Sequence, residues 1–466
     1  MKKQTIEKNL TEGNVVIQLI MFALPFMLSN FIQTLYNVAD MLIVGNFTGS
    51  EGISGVNIGG QVTFIITNIV VGLSVGGTVV IAQYLGSKNR KSMEECVKTL
   101  ITFLFITSIV VTVVMMLLSD VFLVLLRTPE ESYEQARSYL NITLLGTVFI
   151  FGYNGFSAIL RGLGDSKRPL IFVTIACGIN VVLDLILVGV FHMAAAGAAL
   201  ATVISQAISM FACIIYIKRS DLGFDFKLSS FRMYKERLLI MMKVGIPISV
   251  QNVIVNFSFL VLTAIANGMG VSASAAVGVV GKYNGFAILP AIAVGSSVSA
   301  MVAQNMGAGM VDRAKKTFHT GFVLSFSITL TVFIFTQLFP EQIVSIFGKD
   351  DPKMISEAVS YLRSFSFDYL IVPAAFCLNG LITGSGHTVI SSISGIMSSI
   401  GFRIPFAILL GITLEKGMFG LGMAAPLASL GTTIIVFIYY LSGKWKVSTV
   451  VNKPATMETE LELSSF

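Results

Sequence analysis

Charge is scarce in this chain: only 12% of its 466 residues are Asp, Glu, Lys or Arg, about half the share a water-soluble domain carries. That shortage excludes water as the main solvent around most of its surface. Histidine is rarer still, with three in the whole chain and none paired on a helix face. No Ser/His/Asp set, HExxH or glycine-rich phosphate loop occurs either, so the chain offers no chemistry for an enzyme. The four cysteines, Cys96, Cys177, Cys213 and Cys377, lie far apart with no CxxC and no His at ligand spacing. This excludes a disulfide framework and a structural zinc site, and leaves them as packing residues. A filter-like loop and rings of charge are missing, which speaks against a channel. The formal charge of +6 sits in short loops between hydrophobic stretches, where membrane orientation needs it, so no nucleic-acid partner follows. No cofactor is expected.

What the chain has in abundance is apolar length. Hydrophobic residues make up 54% of it, and runs such as 15–44, 97–118 and 318–338 are each long enough to cross a hydrocarbon core about 30 Å thick. Membrane-spanning strands would alternate and be near ten residues long, so these runs are helices. The expected fold is an all-α integral membrane protein. Lys2, Lys3 and Lys8 precede an apolar stretch far longer than a signal-peptide core, so the first helix is retained. Turn and charge signals place twelve spans, starting near residues 15, 53, 96, 135, 168, 194, 238, 274, 315, 355, 388 and 418. With the N-terminus inside, the loops 88–98, 161–168, 218–243 and 313–316 and the tail with Lys444, Lys446 and Lys453 face the cytoplasm. Of the 31 Lys and Arg, only Arg127, Arg137, Lys349, Lys353, Arg363 and Lys416 then fall outside, with Lys282 and Arg403 inside spans. The positive-inside rule therefore predicts both termini on the cytoplasmic side of the plasma (inner) membrane.

The chain also repeats itself at a spacing of 221 to 225 residues. Pro25 is answered by Pro247, the Ala82-Gln83-x-x-Gly86 motif by Ala303-Gln304-x-x-Gly307, residues 161–164 by 383–386, and the Gly197 region by that of Gly422. Each half holds an even number of spans, so both enter the membrane in the same sense. They should be related by a pseudo-two-fold axis along the membrane normal. The domain plan is an N-terminal six-helix lobe (1–217), a cytoplasmic linker (218–243), a C-terminal six-helix lobe (244–441) and a cytoplasmic tail (442–466). Alternating-access carriers are built this way, with two bundles rocking about a central site.

Coupling candidates stand out because ionised carboxylates inside a span are costly, roughly 2.5 to 3.5 kcal/mol each, and so are usually functional. Asp40 and Asp184 are two such residues. Gln33, Tyr36, Asn37 and Asp40 recur at i, i+3, i+4 and i+7, one polar stripe on an apolar helix. Asn180 and Asp184 share a face of span 5, and Thr202 and Gln206 a face of span 6. Two carboxylates in low dielectric can hold and exchange a proton, since desolvation and repulsion disfavour the doubly ionised state. The same oxygens, with Asn180 and Thr202, would equally suit a sodium ion. The blander alternative is that these groups only bond helix to helix. Gln33, Tyr36, Asn37, Asn154 and Gln206 are expected to support the cavity. Pro25 frees a carbonyl one turn earlier, so span 1 can kink there, and protonation of Asp40 would change that bend. The second half carries Lys282, Asp368 and Arg403 instead. Arg403 should pair with Asp368 or snorkel to the headgroups; a base facing the cavity unpaired would favour zwitterionic or anionic cargo. The 35 Phe and 21 Met suit lipid-facing packing and a pocket tolerant of varied cargo. Gly76, Gly77 and Gly295 suit close helix contact.

Pro25, the run from Gln33 through Tyr36 and Asn37 to Asp40 with Val44-Gly45, Ala82-Gln83-x-x-Gly86, Leu160-Arg161-Gly162-x-Gly164-Asp165, Asn180-x-x-x-Asp184 and Ala303-Gln304-Asn305-x-Gly307-Ala308-Gly309 together resemble the multidrug and toxic compound extrusion (MATE) family. The resemblance covers nearly the whole chain. It implies antiport: export of organic, often cationic, compounds driven by inward flow of protons or sodium ions. The DinF-type branch is the better match, for there the counterparts of Asp40, Asn180, Asp184 and Thr202 form a cation site in the N-terminal lobe. The NorM-type branch depends on an acid in span 7, and none lies between Gly245 and Gly270. The expected partners are a small organic substrate and membrane lipid, and the expected state is a monomer. A lipid or lipid-linked sugar flippase of the same superfamily is the nearest rival, and a passive channel the more distant one. The GxxxD-[RK] signature of major-facilitator carriers is absent from 86–98.

Overall fold

The structure is a computed structural model, and it describes residues 7–219, 227, 230–346 and 351–451. Lys2, Lys3, Lys349, Lys453 and most of the expected tail lie outside the described residues. Among the described residues the fold is all-helical, with nine single helices and three bent pairs long and apolar enough to cross a membrane, twelve spans if each pair counts once. In chain order they are α1 (Val15–Gly49), α2 (Glu51–Gly86), α3 (Arg90–Leu125), α4 (Glu130–Leu145 with Thr147–Gly162), α5 (Lys167–Val190), α6 (Ala194–Lys218), α7 (Lys235–Met269), α8 (Val271–Ala287 with Leu289–Gly307), α9 (Val311–Leu338), α10 (Pro352–Phe365 with Asp368–Gly384), α11 (Thr388–Thr413) and α12 (Gly417–Leu441). Every expected span has its helix.

Local chemistry sets many of the boundaries. Asn14 caps α1 by accepting from the N–H groups of Val16 and Ile17, Asn89 caps α3 through Ser92, and Asp351 caps α10 through Lys353 and Met354. Gly49, at φ 68°, breaks the chain between α1 and α2 in a conformation that costs a side chain dearly. The dihedrals stay helical through Pro25, whose carbonyl accepts a 2.8 Å bond from Ser29 Oγ. Helix α6 runs to Lys218 and α7 begins at Lys235, so the connection between the halves is 219–234, shorter than the expected 218–243; residues 220–226, 228 and 229 lie outside the described residues.

The repeat is visible in shape as well as in sequence. Helices α4 and α10 are bent by 50° and 44° at matching places. A wide π-helical turn follows Asp184 in α5, at Leu185–Val190, and its counterpart Ala407–Thr413 lies in α11.

The two halves meet closely near the face that carries the two ends of the described chain. A Cβ on Gly76 would come within 2.6 Å of the Met241 carbonyl, and Ser249 Oγ of α7 donates to the Ile69 carbonyl of α2 at 3.0 Å. Gly77 gives room to Leu100, and Gly295 lies against the Phe376 backbone. Farther along, α2 and α8 cross where Gly86 faces the Gln304 carbonyl and Gly307 faces that of Gln83. Only glycine allows backbones this near.

The two glutamines of the repeated motif are both buried there. Gln83 donates to the Gly384 carbonyl of the other half at 2.7 Å and accepts from Ser448 at 2.5 Å. Gln304 donates to the Gly162 carbonyl at 3.4 Å and accepts from Leu10 N at 3.0 Å. Each end of the described chain thus straps across to the opposite half. Lys8 lies on the left-handed turn at Gly164, and Thr449 on the matching turn at Gly386. Toward the other membrane face the walls are open: Asn57 and Gln61 of α2 are exposed, and positions 278, 281 and 285 of α8 have no neighbour within 4 Å of a built Cβ.

Candidate functional site

Three helices assemble the site inside the first half. The polar stripe of α1 turns Asp40 toward α5, where Asn180 and Asp184 sit one turn apart, and Thr202 of α6 closes the group. Asp40 is 8% exposed, Asn180 1% and Asp184 0%. The Asp40 and Asp184 carboxyls lie within hydrogen-bonding reach of each other. Two ionised carboxylates repel at that range, so the contact is attractive only with a proton between them. Asn180 bridges the rest: with its amide turned to satisfy both neighbours, Nδ2 donates to Asp184 Oδ2 at 3.0 Å and Oδ1 accepts from Thr202 N at 3.2 Å. Tyr36 Oη lies 3.3 Å from Thr202 Oγ1. Among the described residues, one oxygen of each acid, Oδ1, has no hydrogen-bond partner. Such orphaned buried oxygens are the unsatisfied acceptors a proton or a small hard cation would fill.

Of the residues singled out in the sequence, the structure brings together Asp40, Asp184, Asn180, Thr202 and Tyr36. Asn37 lines a cleft of about 320 Å³ beside Asp40. Among the described residues no hydrogen bond joins Gln33, Asn154 or Gln206 to the acids: Asn154 donates to its own helix at Ile150, and Gln206 Oε1 has no partner. The cleft also exposes groups that sequence reasoning passed over, namely Asn57 and Gln61 of α2, joined by a 3.3 Å bond, and Tyr139 of α4. Asn57 and Gln61 are four apart on a helix, the same signal that marked α1. Tyr139 had none, because only the packing of α4 against α2, at Gly55 and Gly59, brings it near.

The second half differs from the expectation for Arg403. It is 7% exposed, so it does not snorkel, and no ion pair to it occurs within 4 Å among the described residues. Arg403 ends a second π-helical turn, Met397–Arg403, and α7 reaches it first. Its Nη1 donates to Ser258 Oγ at 2.7 Å and its guanidinium stacks 4.1 Å over the Phe259 ring, a cation–π contact. Asp368, also buried, feels Arg403 only through space, and among the described residues its Oδ1 has no hydrogen-bond partner. Replacing Arg403 by Leu should lower stability by about 2 kcal/mol, because it strands a buried acid and orphans Ser258. Adding Asp368→Asn should restore most of the loss, and an apparent Tm in detergent reads both; a neutral single variant would show that the two groups do not interact.

Comparison with known proteins meets this geometry at both halves. The MatE family model matches residues 25–186 and 247–409, which contain the acids and their repeat counterparts. The chain is 29% identical over 436 residues to the probable multidrug resistance protein YpnP of Bacillus subtilis, covering 94% of this chain and 97% of that one. It is 26% identical over 449 residues to the probable multidrug resistance protein NorM of Thermotoga maritima, covering 95% of each. A structure described as the outward-facing conformation of a multidrug resistance MATE family transporter superposes with a TM-score of 0.85 at 22% identity, over 95% of this chain and 98% of that one, a likeness of fold. Twelve helices in the same arrangement and a family match that falls once on each half lead to one conclusion: the chain belongs to the MatE family.

Proposed function

We propose that the chain is a secondary active antiporter that exports small organic compounds, including cationic ones, in exchange for protons or sodium ions. The observation that carries this reading is the pair of facing carboxyls buried among the α1, α5 and α6 helices beside a cleft. The multidrug names of the relatives support the cargo class. In this reading the two lobes, 1–217 and 244–441, rock about the space between them, with both termini cytoplasmic in the plasma membrane. Placement of the acids in the first lobe is the basis for assigning the DinF-type branch.

The mechanism follows from electrostatics. A doubly charged pair in low dielectric is costly, so it holds either a proton or a cation. Loading it halves the charge of the site and lets Tyr36 and Asn180 settle around it. A cationic substrate in the same lobe competes for the same negative charge, so arrival of one favours release of the other. The glutamine clasp and the two straps hold the cytoplasmic side shut while the cleft faces outward. Pro25 leaves α1 free to bend as the charge on Asp40 changes.

Liposomes containing the purified protein and a fluorescent organic cation give the test. Dye movement that follows an imposed pH or sodium gradient is the expected result and identifies the ion. Dye conduction without a gradient would point to the channel, and scrambling of labelled lipid to the flippase.

A further inference from the structure

Lys282 has no part in the coupling site, yet it is an exposed ammonium on a helix that crosses a membrane. It lies 11 residues into α8 from Val271, a rise of about 16 Å and so well inside that span. An ammonium inside a span is costly unless it is paired or wet. No ion pair to Lys282 occurs among the described residues.

Its surroundings show which way it points. Phe286, one turn on, meets Phe31 of α1 edge to face at 5.7 Å, so this side of α8 is turned to the other half. Gly281 is adjacent and Gly278 and Gly285 flank it, all with open space where a Cβ would stand. At the offset of the glutamine motif, Lys282 answers Gln61, Gly281 answers Gly60, and Gly278 answers Asn57. The two walls of the open vestibule thus match in position and differ in charge. One wall carries neutral amides leading to Asp40, and the other a single ammonium on a bare glycine face.

We infer that Lys282 is a specificity-determining residue that receives an acidic group of the transported compound, so that the preferred substrates are amphoteric: an organic cation that also carries a carboxylate or similar anion. The glycine face lets a flat, bulky molecule lie along α8 and bring its anion to the ammonium while its basic end faces the α1 wall. The inference rests on the export reading and names its substrate class.

Rhodamine B, a zwitterion with a free carboxylate, and its ethyl ester, a plain cation, form a matched fluorescent pair. In liposomes, Lys282→Gln should lower kcat/KM for rhodamine B about 10-fold, the loss of one modest charge contact, and leave the ester unchanged. Lys282→Arg should retain the preference. An unchanged ratio between the two dyes, or an equal loss of both, overturns the inference while leaving export intact. If the wild type moves neither dye under any gradient, the export reading fails. Binding in detergent then decides for Lys282 alone: tighter binding of the acid than of the ester, abolished by Lys282→Gln, upholds it, and equal binding overturns it.

Discussion

Asp184→Asn, and separately Asp40→Asn, should reduce gradient-driven dye efflux by roughly 100-fold, the scale of a full coupling free energy. The amide keeps the size of the carboxyl and can still bond to Asn180 or to its partner acid, but it cannot take up and release the proton or hold a cation by charge. Stability gives the control. Removing one of two buried acids relieves repulsion, so each variant should melt at or above the wild-type temperature, and lost transport would not be lost folding. Asp184 is fully buried and Asp40 is 8% exposed beside the cleft. The double variant should be no worse than either single one, because the pair acts as a unit. Transport that survives in both single variants would move coupling out of the first half.

The second large effect concerns the clasp. Gln83→Ala combined with Gln304→Ala removes the bonds that tie each half to a buried carbonyl of the other, at Gly384 and at Gly162. Each stranded carbonyl costs about 1 to 3 kcal/mol, and the whole cost falls on the closed state, since water reaches these groups once the halves part. The balance should shift toward the state open on the clasp side, cytoplasmic in the proposed orientation, by a factor on the order of 30 or more. Ser249 reports it, being buried between α7 and α2. In a chain whose four cysteines are replaced by alanine, Ser249→Cys should react with an impermeant maleimide from the cytoplasmic side much faster when both glutamines are gone. Equal rates would show that glycine-mediated helix packing alone keeps that side shut.

Much of this architecture is legible in the chain because a membrane imposes few solutions. Apolar length marks each span, since backbone groups in hydrocarbon must bond within their own helix. The expected starts fall within a few residues of the observed ones, the deviations being polar first turns, such as residues 90–95 of α3, that lie beyond the apolar run. Asp40, Asn180, Asp184 and Thr202 were visible for the same reason. A polar residue is rare enough inside a span that spacing alone assigns its face. The repeated Ala-Gln-x-x-Gly motif announced a duplication, and the chain by itself gave it no role.

Tertiary structure decided what depends on which helix lies next to which. The motif became a clasp only because α2 and α8 cross at two glycines, and Tyr139 joined the acid cleft only through the packing of α4. Arg403 had two expected fates and met neither, because a π-helical turn delivers it to Ser258 and Phe259 before Asp368 comes within reach. Lys282 was a base at an undetermined face until Phe286 met Phe31. Periodicity along one helix assigns a residue to a face of that helix, whereas the neighbour that face meets is set by contacts between segments far apart in the chain.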